Sequence, residues 1–229
     1  MSDVQVIELK LTNNSLLSFN ALGMVTHQLL NRRLVILPTE TGYMLAANAL
    51  DVDAVKKVFK VKQRDLSNPI HVAVSGMDMA EELVYLDSQS RRLCNKYFPG
   101  PLTVICPKRQ IVSDLLVANT GNLGIRVPDC PVTLQVVQAF GKPITATSLN
   151  VSGESSEELV EDTIAKLNWE GEYLVYLVKE KRLLKQSSPS TLVTFATKPW
   201  SILRKGPITE DEISASLNKI GYSDFEDWT

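Results

Sequence analysis

The stretch LVILPTETGYML, Leu34 to Leu45, governs how the rest of the chain is read. Four apolar residues, Leu34 to Leu37, fit a strand buried on both faces. Pro38 has no N–H to donate and is expected to end regular pairing. A polar run follows: Thr39, Glu40, Thr41, Gly42 and Tyr43. A buried strand that opens onto hydroxyls, a carboxylate and a glycine is one way an open α/β sheet presents a site. A solvated strand–helix connection would use the same residues.

Outward from this stretch, strands and helices alternate. Val4 to Leu9 reads as a short strand. Ser15 to Asn31 reads as a helix, with Leu16, Leu17, Phe19, Leu22, Val25, Leu29 and Leu30 on an apolar stripe near the 3.6 period. Asp51 is a good N-cap for a helix through Val55, Val58 and Phe59 to Val61. Ile70 to Val74, Leu102 to Cys106, Leu123 to Val127 and Ile144 to Thr147 read as strands. Ser88 caps a helix that Pro99-Gly100-Pro101 stops, and Pro131 opens another that Gly141 ends. Beyond a helix at Glu157 to Leu167 come short strands at Tyr173 to Val178, Thr191 to Phe195 and Ser201 to Leu203. Thr209 caps a last helix with Glu210, Asp211 and Glu212 at its positive end. The alternation predicts an α/β domain with a mixed sheet. Its expected extent is 15–213, after an N-terminal segment 1–14 and before a tail 214–229. The polar stretch Lys179 to Pro189 reads as a mobile loop, and the acidic end Ser223 to Thr229 as frayed.

The chain has 229 residues, 44% hydrophobic and 22% charged, enough for one sizeable core. A net charge of -2 and a pI of about 5.8 argue against a protein devoted to non-specific nucleic-acid binding, which would be basic. The start MSDVQVIELKL has no basic segment followed by an apolar one, so no signal peptide is expected, and no apolar run is long enough to span a membrane. Cys94, Cys106 and Cys130 lack CxxC spacing and read as reduced, packed thiols of a cytoplasmic protein. With only His27 and His71, no His/Cys metal site is expected.

There is no Walker A, GxGxxG, GxSxG or HExxH sequence. The chemistry lies instead in short clusters at strand and helix ends. Lys62 and Arg64, two cations at the end of a helix, suit a phosphate or carboxylate guest, though a helix C-terminus favours cations anyway. Asn68-Pro69 follows. Pro99 to Thr103, PGPLT, is a rigid turn into a strand and reads as structural. Arg126, in an apolar strand, is either paired internally or faces a ligand. Ser148 and Asn150 follow a strand at i, i+2 spacing, on one side of an extended backbone, and Ser152-Gly153 offers a turn with free N–H groups. Ser187 to Thr191 and Arg204-Lys205-Gly206 complete the set. No nucleophile stands beside a base and no carboxylates are paired. Anion-cradling groups without them suit phosphoryl or nucleotidyl transfer, where positioning and charge stabilisation do most of the work.

Taken in order, PTETGY, Lys62-x-Arg64 with Asn68-Pro69, PGPLT, IRVPD, TSLNVSG, Ser190-Thr191 and ILRKG resemble the YrdC-like family from about Leu16 to Ile213. Its best-studied members are threonylcarbamoyl-AMP synthases. The resemblance implies a single α/β domain, a twisted mixed sheet with helices around a large concave cavity, in the short form without a second domain. It implies that L-threonine, bicarbonate or CO2, and ATP give L-threonylcarbamoyladenylate and pyrophosphate, with Mg2+ carried by the nucleotide and no metal held by the protein. A tRNA-modifying threonylcarbamoyl transferase would take the product to N6 of adenosine 37, and a weak contact with tRNA fits the same scheme. By position, Lys62 and Arg64 would be catalytic. Arg64, Asn68, Ser148, Asn150 and Arg204 would bind ATP, and Thr39, Arg126 and Ser190 would bind threonine. The family pattern differs at several places: Gly42 and Met44 stand where Val and Gly are usual, and Asp65 where Pro is usual. Ala73 stands where many members have His, with His71 two residues earlier. Leu149 and Thr194 also depart from the usual residues. Another enzyme of the fold that makes a carbamoyl adenylate, or an RNA-binding module using the concave face, are the alternatives.

Overall fold

The computed structural model describes residues 4–150, 160–169, 173–178 and 188–218. The stretch 179–187, the turn Ser152-Gly153 and the acidic end Ser223 to Thr229 lie outside them.

In chain order the elements are β1 (Val4–Leu9), α1 (Phe19–Leu30), β2 (Val35–Thr39), β3 (Gly42–Ala46), α2 (Val52–Val61), β4 (Val72–Ala73), α3 (Met77–Glu81), α4 (Ser88–Tyr97), β5 (Leu102–Pro107), β6 (Asn122–Arg126), α5 (Pro131–Phe140), β7 (Ile144–Thr145), β8 (Thr147–Ser148), α6 (Val160–Lys166), β9 (Tyr173–Val178), β10 (Thr191–Thr194), β11 (Ser201–Arg204) and α7 (Glu210–Leu217). The mixed pairing takes the form of two sheets, ordered β1-β9-β2-β3-β8 and β11-β10-β5-β6-β4-β7. Each contains parallel and antiparallel neighbours: β2 runs parallel to β9 but antiparallel to β3, and β5 parallel to β10 but antiparallel to β6.

Strand β2 is buried along its whole length, with its two faces serving different cores. Leu34 and Ile36 pack with α2 residues such as Val55 and Val58, while Val35 and Leu37 pack with Val25 and Leu29 of α1 and Val136 and Val137 of α5. Pro38 does not end the pairing. β2 turns at Glu40-Thr41 and returns as β3, with Thr39 opposite Gly42 and Pro38 opposite Tyr43. In a two-residue hairpin closed at Thr39 and Gly42, residue 38 is a non-hydrogen-bonded pair whose N side faces away from β3. The parallel neighbour β9 reaches only Val35 and Ile36. No ladder bond is lost there. Gly42, at φ +134°, takes a backbone that a side chain would strain.

Local signals fix most helix ends. The Asp51 carboxylate accepts from the Asp53 and Ala54 N–H groups at the start of α2. Pro131 opens α5, and Gly141 closes it at φ +70°. Thr209 and Glu212 form a capping box on α7. For α4 the cap is Asp87, one residue earlier than expected: its carboxylate accepts from Ser90 N at 2.8 Å and leaves Ser88 inside the first turn. Cys94, Cys106 and Cys130 are all buried and unpaired. Burial pushes their thiols up, Cys106 to about 12, so they are inert packing residues. No helix among the described residues is long and apolar enough to cross a membrane.

Candidate active site

A cavity of about 480 Å³ draws its walls from both sheets, within the range of ligand pockets. The hairpin β2–β3 contributes Thr39 and Thr41 to Met44, the end of α2 contributes Arg64, the second sheet contributes His71, Thr103 and Arg126, and β8 with its following turn contributes Ser148 and Asn150. Ser190 and Arg204 close the far side.

The α2 end explains how Lys62 and Arg64 diverge. Gln63 N donates to Lys60 O at 3.1 Å and Arg64 N to Phe59 O at 2.9 Å, with Gln63 left-handed at φ +51°. This is a Schellman closure made without glycine. It ends the helix at this point; Lys62 is only 1% exposed, while Arg64 reaches the cavity. The Lys62 Nζ donates to the Ser148 carbonyl and, at 2.9 Å, to Asn150 Oδ1. Lys62 is therefore behind the β8 turn rather than on the cavity surface. Burial, with Arg64 adding repulsion, pulls its amine down to about 7. Arg64 donates to the carbonyls of Asn68 (3.1 Å) and Pro69 (2.8 Å), which aim its guanidinium. Asn68 itself is exposed and its side chain is not on the cavity; what it gives the site is that carbonyl. Asp65, the anion beside this pair, turns outward, where its carboxylate accepts from Ser67 N at 2.8 Å.

Ser148 and Asn150 both line the cavity, but through a tight turn and not along an extended segment: Asn150 N donates to Ser148 O at 3.1 Å, and Ser148 Oγ to Asn150 Oδ1 at 2.6 Å. Arg126 is both paired and cavity-facing. Its Nη2 meets Glu40 Oε1 at 2.6 Å and both terminal nitrogens lie 3.3 Å from Thr41 Oγ1. Glu40, only 1% exposed, also accepts from Asp129 N at 3.1 Å, which locks the residues after β6 against the hairpin turn. Thr39 Oγ1 donates across the same turn to Gly42 O at 2.7 Å. On the far side, Ser190 Oγ lies 2.8 Å from Thr103 Oγ1 and accepts from Arg204 Nη2 at 3.1 Å. Gly206 lets the end of β11 cross the backbone around Ser190, because a Cβ there would collide with Pro189 O at 2.5 Å.

The cavity is thus rimmed by three guanidiniums, of which only Arg126 has a carboxylate partner among the described residues. Burial lowers Arg64 and Arg204, and Arg126 adds to the effect on Arg204. Such a site binds anions. No Asp or Glu side chain lines it, and no group of three or more metal-binding side chains exists among the described residues. Thr103, His71, Thr41 and Glu40 are functional candidates to which pattern reading gave no individual role. Thr103 is the last residue of a turn read as structural, and Glu40 is legible only once Arg126 is known to lie opposite it.

A family model named Sua5/YciO/YrdC and described as telomere recombination matches residues 28–206. A relative from Methanocaldococcus jannaschii is 30% identical over 181 residues, covering 79% of this chain and 83% of its own length. The threonylcarbamoyl-AMP synthase of Pyrococcus abyssi is also 30% identical, over 82% of this chain but 54% of its own, so the chain spans about half of that longer relative. The crystal structure of P. abyssi Sua5 complexed with L-threonine superposes with a TM-score of 0.80 at 25% identity, covering 96% of this chain and 62% of that one. With most of its length inside the family model and its motifs gathered on one cavity, the chain belongs to the Sua5/YciO/YrdC family.

Proposed function

We propose that this chain is a threonylcarbamoyl-AMP synthase, joining L-threonine, bicarbonate or CO2, and ATP into L-threonylcarbamoyladenylate with release of pyrophosphate. The observation that carries the reading is the cavity rimmed by Arg64, Arg126 and Arg204, two of them without a carboxylate partner among the described residues. The names of relatives such as the P. abyssi synthase support it. Threonine's amine and CO2 form a carbamate, and a carbamate oxygen then attacks the α-phosphorus of ATP as pyrophosphate leaves. Both reactants are anions, and bringing them together costs Coulomb energy that fixed guanidiniums offset. In this scheme Arg126 holds the threonine carboxylate, helped by Thr39 and Ser190. Arg64, Ser148, Asn150 and Arg204 hold the nucleotide, with Asn68 aiming Arg64. Lys62, near neutrality behind the Asn150 turn, supplies a proton-exchanging charge next to the triphosphate. Mg2+ would travel with the triphosphate; among the described residues no carboxylate lines the cavity. The product goes to a threonylcarbamoyl transferase acting on tRNA, with at most a weak tRNA contact here, in the cytoplasm, where buried reduced thiols are at home.

The direct test is pyrophosphate release with all three substrates, with the product identified by mass spectrometry. Release that needs both threonine and bicarbonate supports the synthase; ATP turnover indifferent to threonine rejects it. Two finer outcomes follow from the geometry. Asn150→Ala is expected to weaken ATP binding by about 3- to 10-fold, the loss of one neutral hydrogen bond, while threonine binding changes less. Calorimetry reads both, and an unchanged nucleotide affinity removes Asn150 from the nucleotide site. Among amino acids, serine lacks only the methyl and is expected to lose roughly 1–3 kcal/mol. Valine keeps the shape but leaves a hydroxyl-reading site unpaired, and is expected to be worse still. Valine matching threonine in pyrophosphate release would mean that the hydroxyl is not read.

A further inference from the structure

We infer that the outer face of α1 is a contact between two copies of this chain, packed antiparallel across a two-fold axis. α1 gives no residue to the cavity, so this contact stands apart from the chemistry proposed there. The helix is firmly seated on its inner side. Val25, Gln28 and Leu29 are buried. Gln135 of α5 grips the backbone just before the helix, accepting from Leu17 N at 2.9 Å and donating to Leu17 O at 3.1 Å. The outer side is unlike that of an ordinary surface helix, which carries charged residues there. In a chain that is 22% charged, the twelve residues FNALGMVTHQLL include no Asp, Glu, Lys or Arg. Phe19 is 89% exposed, Leu30 61% and Met24 41%.

Spacing decides what covers this face. Phe19, Gly23, Thr26 and Leu30 recur at i, i+4, i+7 and i+11, which makes one ridge along the helix. The ridge reads the same from either end: large, small, small, large, in palindromic steps. Turned end over end about an axis between Gly23 and Thr26, it sets Phe19 of one copy against Leu30 of the other, and Gly23 against Thr26. Antiparallel packing also opposes the two helix macrodipoles, which parallel packing would not. Gly23 supports the same arrangement. A glycine inside a helix costs stability against alanine, and nothing within this chain requires one, since a Cβ at 23 would meet no atom within 4 Å among the described residues. A second helix crossing there supplies the reason, because the side chains at a crossing set how closely two helices approach. Thr26 Oγ1 donates to Leu22 O at 3.0 Å and Gly23 O at 3.1 Å, so its hydroxyl is satisfied within the helix and can be covered without loss. One helix pair is small beside a standard interface of about 1,600 Å², so the dimer is expected to be weak and reversible.

Sedimentation equilibrium on the full chain, run from about 5 to 500 µM so as to bracket a weak Kd, tests this. The wild type is expected to move from 25.4 kDa toward twice that mass as concentration rises, with a Kd of about 10–100 µM, the weak end for a small interface. Phe19→Glu or Leu30→Lys alone should weaken association by at least about 10-fold, because each would bury a charge without a partner. An equal mixture of the two variants should associate again, since an antiparallel pair brings the introduced carboxylate of one chain to the introduced ammonium of the other. Gly23→Ala should weaken the dimer by about 3-fold or more while raising the urea midpoint of the monomer, a split that a purely internal role would not give. A near-wild-type urea midpoint at low protein concentration reports an intact fold in the two charged variants. A wild type that stays at 25.4 kDa to the highest concentration overturns the inference, as does association that persists in Phe19→Glu and Leu30→Lys. Loss in both variants without recovery in the mixture overturns it as well, because the two positions then do not meet.

Discussion

Replacing Glu40 by alanine is expected to cost the folded chain about 3–5 kcal/mol, the range for removing one member of a buried ion pair. The two side chains meet at 2.6 Å, with Glu40 1% and Arg126 9% exposed. Without the carboxylate, Arg126 keeps its charge with most of its surface still buried. The guanidinium has little reserve, because its Nε is already buried without a partner. The second carboxylate oxygen is lost as well, which frees Asp129 N and with it the connection from β6 into α5. Glu40→Gln keeps an acceptor but loses the charge and should fall between. Urea unfolding at pH 7 reads all of this. The double replacement Glu40→Met with Arg126→Met should recover most of the stability, since two apolar side chains can replace a buried pair, yet on the proposed function it should lose threonine binding. An unchanged unfolding midpoint in Glu40→Ala would show that Arg126 escapes to solvent and that Glu40 does not position it.

This pair also marks where the sequence stopped being readable. Elements whose cause is local were legible: the Asp51 cap, the Pro131 start, the Gly141 stop and the Thr209–Glu212 box all act within four residues. Strand β2 was legible because both its faces are buried and four apolar residues say so. The hairpin was not. Pro38 argues against continued pairing, and the fact that its missing N–H faces an unpaired side depends on how far β9 extends, more than 130 residues away in sequence. Arg126 was readable as a charge in need of a partner, but Glu40 lies 86 residues upstream. His71 was legible only as a histidine two residues from a usual one; its place on the cavity depends on Gly124 of β6, which leaves room for its ring. Lys62 and Arg64 read as two cations sharing one helix end, but only Arg64 lines the cavity, while Lys62 lies buried behind Ser148 and Asn150.

That separation gives Lys62 its own pair of consequences. At pH 9 the folded chain holds Lys62 as a neutral amine, pulled to about 7 by burial and by Arg64, while the unfolded chain holds an ordinary protonated lysine. Unfolding then takes up a proton, so stability rises with pH between about 7 and the ordinary value of 10.5, by up to about 1.4 kcal/mol per pH unit. Below pH 7 both states carry the proton and the contribution is flat at its lowest. Lys62→Met, similar in length and without a charge, should remove this slope between pH 8 and 10 in urea unfolding. A slope that survives the substitution would belong to another group. The same variant should lower turnover by about 10²-fold or more, as for loss of a charge-stabilising donor, and Arg64→Ala should do likewise. The two effects are separable because they depend on different states of the amine. The stability slope reports the neutral form favoured without nucleotide, where Ser148 O and Asn150 Oδ1 accept from the amine. The turnover loss reports the protonated form, which an arriving triphosphate favours by raising the amine's affinity for a proton. ATP binding to the wild type at pH 8 should therefore take up a proton from buffer, and binding to Lys62→Met should take up measurably less. Equal proton uptake by the two proteins, read by calorimetry in buffers of different ionisation enthalpy, would place the titrating group elsewhere and remove Lys62 from the nucleotide's charge balance.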